Sequence, residues 1–170
     1  VIYTFKYNSA YDNSSGQTEY SFNLDKKVTA DILIVGGGGG GARRMAGGGG
    51  AGTLIYDTNT TLNGTYTIKV GKGGLGSSTS GNIGNDNIED KRGDNGVDSE
   101  IIQSSSIIYK AKGGGGGLGG NTNYNVPSSQ QPLPGGSGGG NGGKDNAHGG
   151  LLSDGNIVNN EIVLVLNNSY

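Results

Sequence analysis

The residues best suited to chemistry in this chain gather around its glycines. Gly36, Gly38 and Gly41 stand in the order G-x-G-x-x-G directly after the apolar run "DILIV", and Asp57 follows the next such run, where an acid could bind a ribose. This is the sharpest enzymatic reading available, a dinucleotide-binding enzyme. A phosphate loop of that kind needs a helix N-terminus behind it. Only 11 residues separate Gly41 from Thr53, and five of them are glycine, so no stable helix fits. In a run of six glycines the fingerprint also arises almost by itself.

The remaining constellations fall short in similar ways. A Walker-like pattern between Gly138 and Lys144 meets Asp145 where Ser or Thr would hold magnesium, and it follows a loop instead of a strand. His148 is the single histidine and has no second His or Cys at ligand spacing, which argues against zinc. Asp86, Glu89, Asp90 and Asp94 could suggest calcium, but their spacing departs from an EF-hand loop and Lys91 and Arg92 intervene. A solvated charged loop accounts for them. The sequence therefore predicts no catalytic residue, no cofactor and no metal site.

The bulk composition narrows the partners. Twelve basic residues against 14 acidic ones give a net charge of -2, with no basic footprint for nucleic acid. No apolar run approaches the roughly 20 residues of a membrane-spanning helix, so no membrane insertion is expected. There is no cysteine to staple the fold or to report a redox compartment. Because it begins at Val1, the chain reads as a processed product or as one domain of a longer protein.

The elements that must position these residues are strands and glycine runs. Short β-branched runs bounded by Asn, Asp, Ser or Gly mark eight strands: Ile2 to Tyr7, Thr18 to Leu24, Ala30 to Val35, Thr53 to Tyr56, Thr65 to Val70, Ser99 to Gln103, Ser106 to Ala111 and Glu161 to Leu166. "DKK" reads as the turn between the second and third, and Asn63-Gly64 as a turn before the fifth. No segment carries a capped helical pattern. Many short strands without helices predict an all-β fold, a β-sandwich or jelly roll in one domain over residues 1–170.

Glycine supplies 38 of the 170 residues, in insertions at about 36–52, 71–98 and 113–150. Ordering each run singly would cost much conformational entropy. A shared arrangement offsets that cost: an extended threefold helix points its N–H and C=O groups outward, and such helices packed side by side bond to one another. Packed polyglycine II helices are therefore expected, with a Cβ at Gly38 or Gly115 intruding where backbones touch. Flexible solvated loops are the competing reading.

The order strand, glycine run, short turn, glycine run is carried by "YSFNLDKKVTADILIVGGGGGGARRMAGGGGAGTLIYDTNTTLNGTYTIKVGKGGLG", "IIYKAKGGGGGLGG" and "PGGSGGGNGG". It resembles the glycine-rich domain of phage tail-fibre adhesins and of large-virus surface proteins, over roughly Thr18 to Leu166. A comparable architecture is known in the glycine-rich extracellular module of the anaplastic lymphoma kinase receptor group. The resemblance implies a jelly-roll-like sandwich of about eight strands alternating with polyglycine helices, used for attachment or fibre building without catalysis. Two stretches depart from the pattern: Leu75 to Asp98 is more polar, and Asn121 to Pro134 is an insertion rich in Asn, Gln and Pro.

On this reading the protein is an extracellular or virion-surface module whose rigid glycine bundle presents turns to a glycan or protein receptor. The turns that recognition would use hold Arg43, Arg44 and Met45, then Tyr124, Val126, Pro127 and Leu133, then Lys144, Asp145 and His148. Tyr124 leads them as the lone aromatic of its insertion. Asn13, Asn59, Asn63 and Asn167 each open an Asn-x-Ser/Thr sequon at a predicted turn or strand end, so in a chain secreted through a eukaryotic pathway glycan is expected on Asn59 or Asn63, at the hairpin turn "TNTTLNGT", with some on Asn13. The alternative is a homo-oligomer or filament joined through the terminal strands "VIYTFKY" and "EIVLVL".

Overall fold

Two long strands organise the molecule. In the computed structural model, which describes residues 1–43, 46–77, 92–118, 135–140 and 162–167, strand β2 (Gln17–Val35) pairs antiparallel with β3 (Leu54–Gly71) along nearly their whole length. The other strands attach at opposite ends of this ribbon. Strand β6 (Ile162–Asn167) pairs with the C-terminal half of β2, and β1 (Ile2–Phe5) pairs with β6. At the other end β4 (Ser99–Gln103) pairs with the C-terminal part of β3, and β5 (Ser106–Ala111) with β4. The result is one antiparallel sheet in the order β1-β6-β2-β3-β4-β5, and the fold is all-β. One 3-10 turn, Ser9–Tyr11, interrupts it, with Asn8 Oδ1 accepting the Ala10 N–H at 3.0 Å.

Six strands among the described residues replace the eight read from the sequence, because two expected turns are bulges. Asp25, Lys26 and Lys27 lie opposite Asn63 alone, so "DKK" is looped out of a strand that continues. The Asn63-Gly64 pair sits inside β3, and Gly64 takes φ +85°, a left-handed conformation that glycine adopts without strain. A second bulge sets Thr58 and Asn59 against Asp31. Asn59 takes φ 58°, and its N–H donates to Asp31 Oδ1 at 2.9 Å.

Bulges bend the ribbon, and the bend lets both ends share one core. Period-two burial places Ala30, Ile32 and Ile34 of β2 and Tyr66, Ile68 and Val70 of β3 on the same side. Phe22, Leu62, Ile101, Ala111, Ile162 and Leu164 join them in a single cluster. Contacts between distant strands close it: Phe5 of β1 lies 5.6 Å from Phe22 of β2, and Tyr109 of β5 donates its hydroxyl to Asp57 Oδ2 of β3 at 2.6 Å. The terminal strands thus pair with each other, and β6 has a neighbour on both sides.

Candidate functional site: the glycine lattice

The C-terminal ends of β2, β3 and β5 open directly into glycine-rich segments, and β3 and β4 start from them. Six such segments are described: I (36–42), II (46–53), III (72–77), IV (92–98), V (112–118) and VI (135–140). Their backbone hydrogen bonds recur every third residue. Gly36, Gly39 and Ala42 of segment I donate to Thr53, Gly50 and Gly47 of segment II, at 3.0, 2.7 and 3.1 Å. Gly37 and Gly40 donate to Val97 and Asp94 of segment IV, while their own carbonyls accept from Gly114 and Gly117 of segment V. Gly74 and Ser77 of segment III donate to Gly38 and Gly41. A repeat of three is that of the extended threefold helix.

The remaining bonds fix the array. Segment V accepts from II and IV, and it donates to VI at Gly115 and Leu118 while accepting from Gly136 of VI; IV also donates to III, and VI to II. These neighbours fit only one hexagonal arrangement, a row III–I–II lying on a row IV–V–VI. Segments I and V are central, and the others flank them.

The array decides which glycines are obligatory. A Cβ on Gly39 would run into the Gly115 carbonyl oxygen, on Gly40 into that of Leu75, on Gly114 into that of Gly50, and on Gly116 into that of Gly93. Gly38 differs from this pattern and corrects the sequence expectation. Its Cβ would meet only the Gly50 oxygen, at 4.0 Å, because it faces away from the array, and Gly41 and Gly48 have nothing within 4 Å. In the flanking segment IV only every third residue faces inward, at Gly93 and Gly96. The polar stretch ending at Asp98 is therefore no departure in structure at its described end: Asp94, Asn95, Val97 and Asp98 occupy positions that do not need glycine.

Two of those side chains complete the central segment V. Asp98 Oδ1 accepts the Gly113 N–H at 2.8 Å, and Asn95 Oδ1 accepts the Gly116 N–H at 2.9 Å, again at a repeat of three. Asp98 also ties the array to the sheet. Its Oδ2 lies 2.8 Å from Lys110 Nζ, its carbonyl accepts from Gln17 Nε2, and Glu100 Oε1 is 2.8 Å from the same ammonium. The hydrogen bonds that the Lys110 ammonium donates to Asp98 and then to Glu100 hold its pKa well above the usual value. Nearby, Ser99 Oγ ties together the strand ends from which the segments start, accepting from the Gly71 N–H of β3 and donating to the Val35 carbonyl of β2 at 2.7 Å.

Of the residues singled out for recognition, Arg43 lies at the end of the hairpin formed by segments I and II, just past the Ala42–Gly47 bond that closes it. Its Nε is shielded from solvent and has no hydrogen-bond partner among the described residues. Arg44, Met45, Tyr124, Val126, Pro127, Leu133, Lys144, Asp145 and His148 lie outside the described residues, as do Asp86, Glu89 and Asp90. Among the described residues no group of three metal-ligating side chains occurs. Asp57, the acid of the dinucleotide reading, is held by Tyr109.

The sequon residues divide. Asn59 and Asn63 are exposed but stand within β3, which corrects their placement on a hairpin turn. Asn13 lies in the turn before β2, where its Oδ1 accepts from the N–H groups of Ser15 and Gln17. Asn167 ends β6, opposite Thr29. Sequence reasoning missed Asn95 and Asp98, whose signal was their spacing of three beside Gly93 and Gly96.

A sequence model described as a glycine-rich domain matches residues 13–161, a span that opens before β2 and takes in all six segments. No curated protein matches the chain.

Proposed function

This chain belongs to the glycine-rich domain family, and from that premise we propose that it is a non-enzymatic extracellular module of a viral fibre or surface filament, presenting turns on a rigid glycine bundle for receptor or glycan binding. The observation that carries the proposal is the lattice itself: six segments bonded at a repeat of three, with the Arg43 hairpin at an end far from the sheet. Recognition residues belong on loops that a rigid scaffold holds in place. We read the bent sheet as a jelly-roll-like sandwich whose layers are the two ends of the β2–β3 ribbon.

The alternative, a filament joined through the terminal strands, has less to support it. Strand β6 is flanked by β1 and β2, so only the outer edge of β1 remains at that end. Binding of the purified protein to a glycan array and to intact cells tests the adhesive reading. A surface ligand whose binding falls on Arg43→Ala, with the fold unchanged, is the expected result. Absence of binding to every glycan and cell type, together with fibres seen by electron microscopy, would reject adhesion in favour of assembly.

A further inference from the structure

The two central segments of the lattice are satisfied differently, and the difference marks a binding face. Around segment I the occupied neighbours, taken in turn, are II, V, IV and III, and the bonds alternate: donated to II, accepted from V, donated to IV, accepted from III. Continuing that alternation leaves one row of donors, the N–H groups of Gly38 and Gly41, neither of which has a backbone partner among the described residues. The carbonyls of Gly36 and Gly39 lie against Gly52 and Gly49 of segment II and are not part of this face. Segment V, its counterpart in the other row, has its spare N–H groups at Gly113 and Gly116 capped by Asp98 and Asn95. Segment III, placed beside segment I as IV is beside V, carries Gly73 and Gly76 and offers no such side chain.

We propose that this uncapped face of segment I binds a glycine-rich strand of a separate polypeptide, extended as a threefold helix and with glycine at least at every third residue. The face is a bare backbone surface: Gly41 is exposed, a Cβ on it would meet nothing within 4 Å, and one on Gly38 would meet only the Gly50 oxygen, at 4.0 Å. Its donors repeat at about 9 Å, three residues of 3.1 Å rise, which only a strand of the same geometry matches at backbone distance. Binding adds a helix to a lattice, as β-augmentation adds a strand to a sheet. A second copy of this chain is a poorer fit. Twofold contact of segment I on segment I would set N–H row against N–H row, and the opposite face of the molecule has its donors already capped. The inference does not depend on the adhesive reading.

The test is a titration of the protein with a short synthetic peptide of Gly-Gly-Asn triplets, followed by amide NMR, with Ala-Ala-Asn triplets as control. The glycine peptide should shift the Gly38 and Gly41 amides and leave Gly37 and Gly40 in place, and the alanine peptide should not bind. Gly38→Val should weaken binding about tenfold or more, without loss of the fold, because its Cβ has room. Gly76→Asn, whose Cβ would sit 3.5 Å from the Gly41 oxygen, places a capping side chain where Asn95 stands for segment V and should do the same. No binding at millimolar peptide, or binding indifferent to both variants, overturns the proposal. Self-association of the protein alone that Gly38→Val abolishes also overturns it, by making the occupant a second copy.

Discussion

Adjacent glycines in one run differ sharply in what they tolerate. Gly39 faces the Gly115 carbonyl and Gly38 faces outward, so Gly39→Val forces two central backbones apart while Gly38→Val does not. The expected loss for Gly39→Val is about 1–3 kcal/mol or more, and within about 0.5 kcal/mol for Gly38→Val. Chemical denaturation of both variants checks the pair; equal stabilities would mean the runs are not packed. A side chain can matter as much as its absence. Asn95→Ala breaks the part-buried bond that gives the Gly116 N–H its side-chain acceptor, at a cost of about 1 kcal/mol, which the same measurement reads. Six consecutive glycines conceal their own phase, so the sequence alone could not separate Gly38 from Gly39. In "GDNGVD" the phase was legible, because glycine survives there only where the lattice requires it.

Strand identity was legible where apolar residues alternate, as in "DILIV" and "TYTIKV", and both stretches lie in strands with the expected inward faces. Strand ends were legible for β4 and β5, whose bounds are those read from the sequence, but not along the β2–β3 ribbon. "DKK" and Asn63-Gly64 carry the local chemistry of turns, and pairing between β2 and β3 on either side of them outweighs it, so the irregularity is absorbed as bulges. The same bulges bring β5 back over β3, where the Tyr109 hydroxyl meets Asp57. That contact gives the closure a pH dependence. Its hydrogen bond to Tyr109, and then one to Thr60, lowers the Asp57 pKa, so its contribution is present above the unfolded carboxylate value near 3.9 and fades as pH falls through the lower folded value. Burial and then the same hydrogen bond raise the Tyr109 pKa, so its contribution is whole below about pH 10 and is lost as pH rises through the folded value. Tyr109→Phe should therefore melt lower than wild type at neutral pH, with the gap narrowing at acid pH. Melting curves from pH 2 to pH 8 decide it, and a gap constant across that range would show that the hydroxyl stabilises nothing through Asp57.

Sheet and lattice are continuous: β2 runs into segment I, β3 into III, IV into β4 and β5 into V, with Asp98 bonded to both. Composition alone would suggest a small sheet with long loops, because it records the entropy cost of glycine and not bonds between segments distant in the chain; the placement of the runs at strand ends is what points to packed helices. Those bonds make the glycine part as ordered as the strands, and amide exchange tells the two pictures apart. In dilute protein the N–H groups of Gly37, Gly40, Gly114 and Gly117, all donated within the array, should exchange only through global opening, as slowly as those of Ile32 and Ile68 in the sheet. Those of Gly38 and Gly41, one residue away and without an acceptor among the described residues, should exchange orders of magnitude faster. A loose loop cannot alternate in this way, since neighbours in it share one environment. Uniformly fast exchange across residues 36–41 would therefore reject the lattice. Fast exchange at Gly38 and Gly41 alone would show both that it forms and that one of its faces stays open.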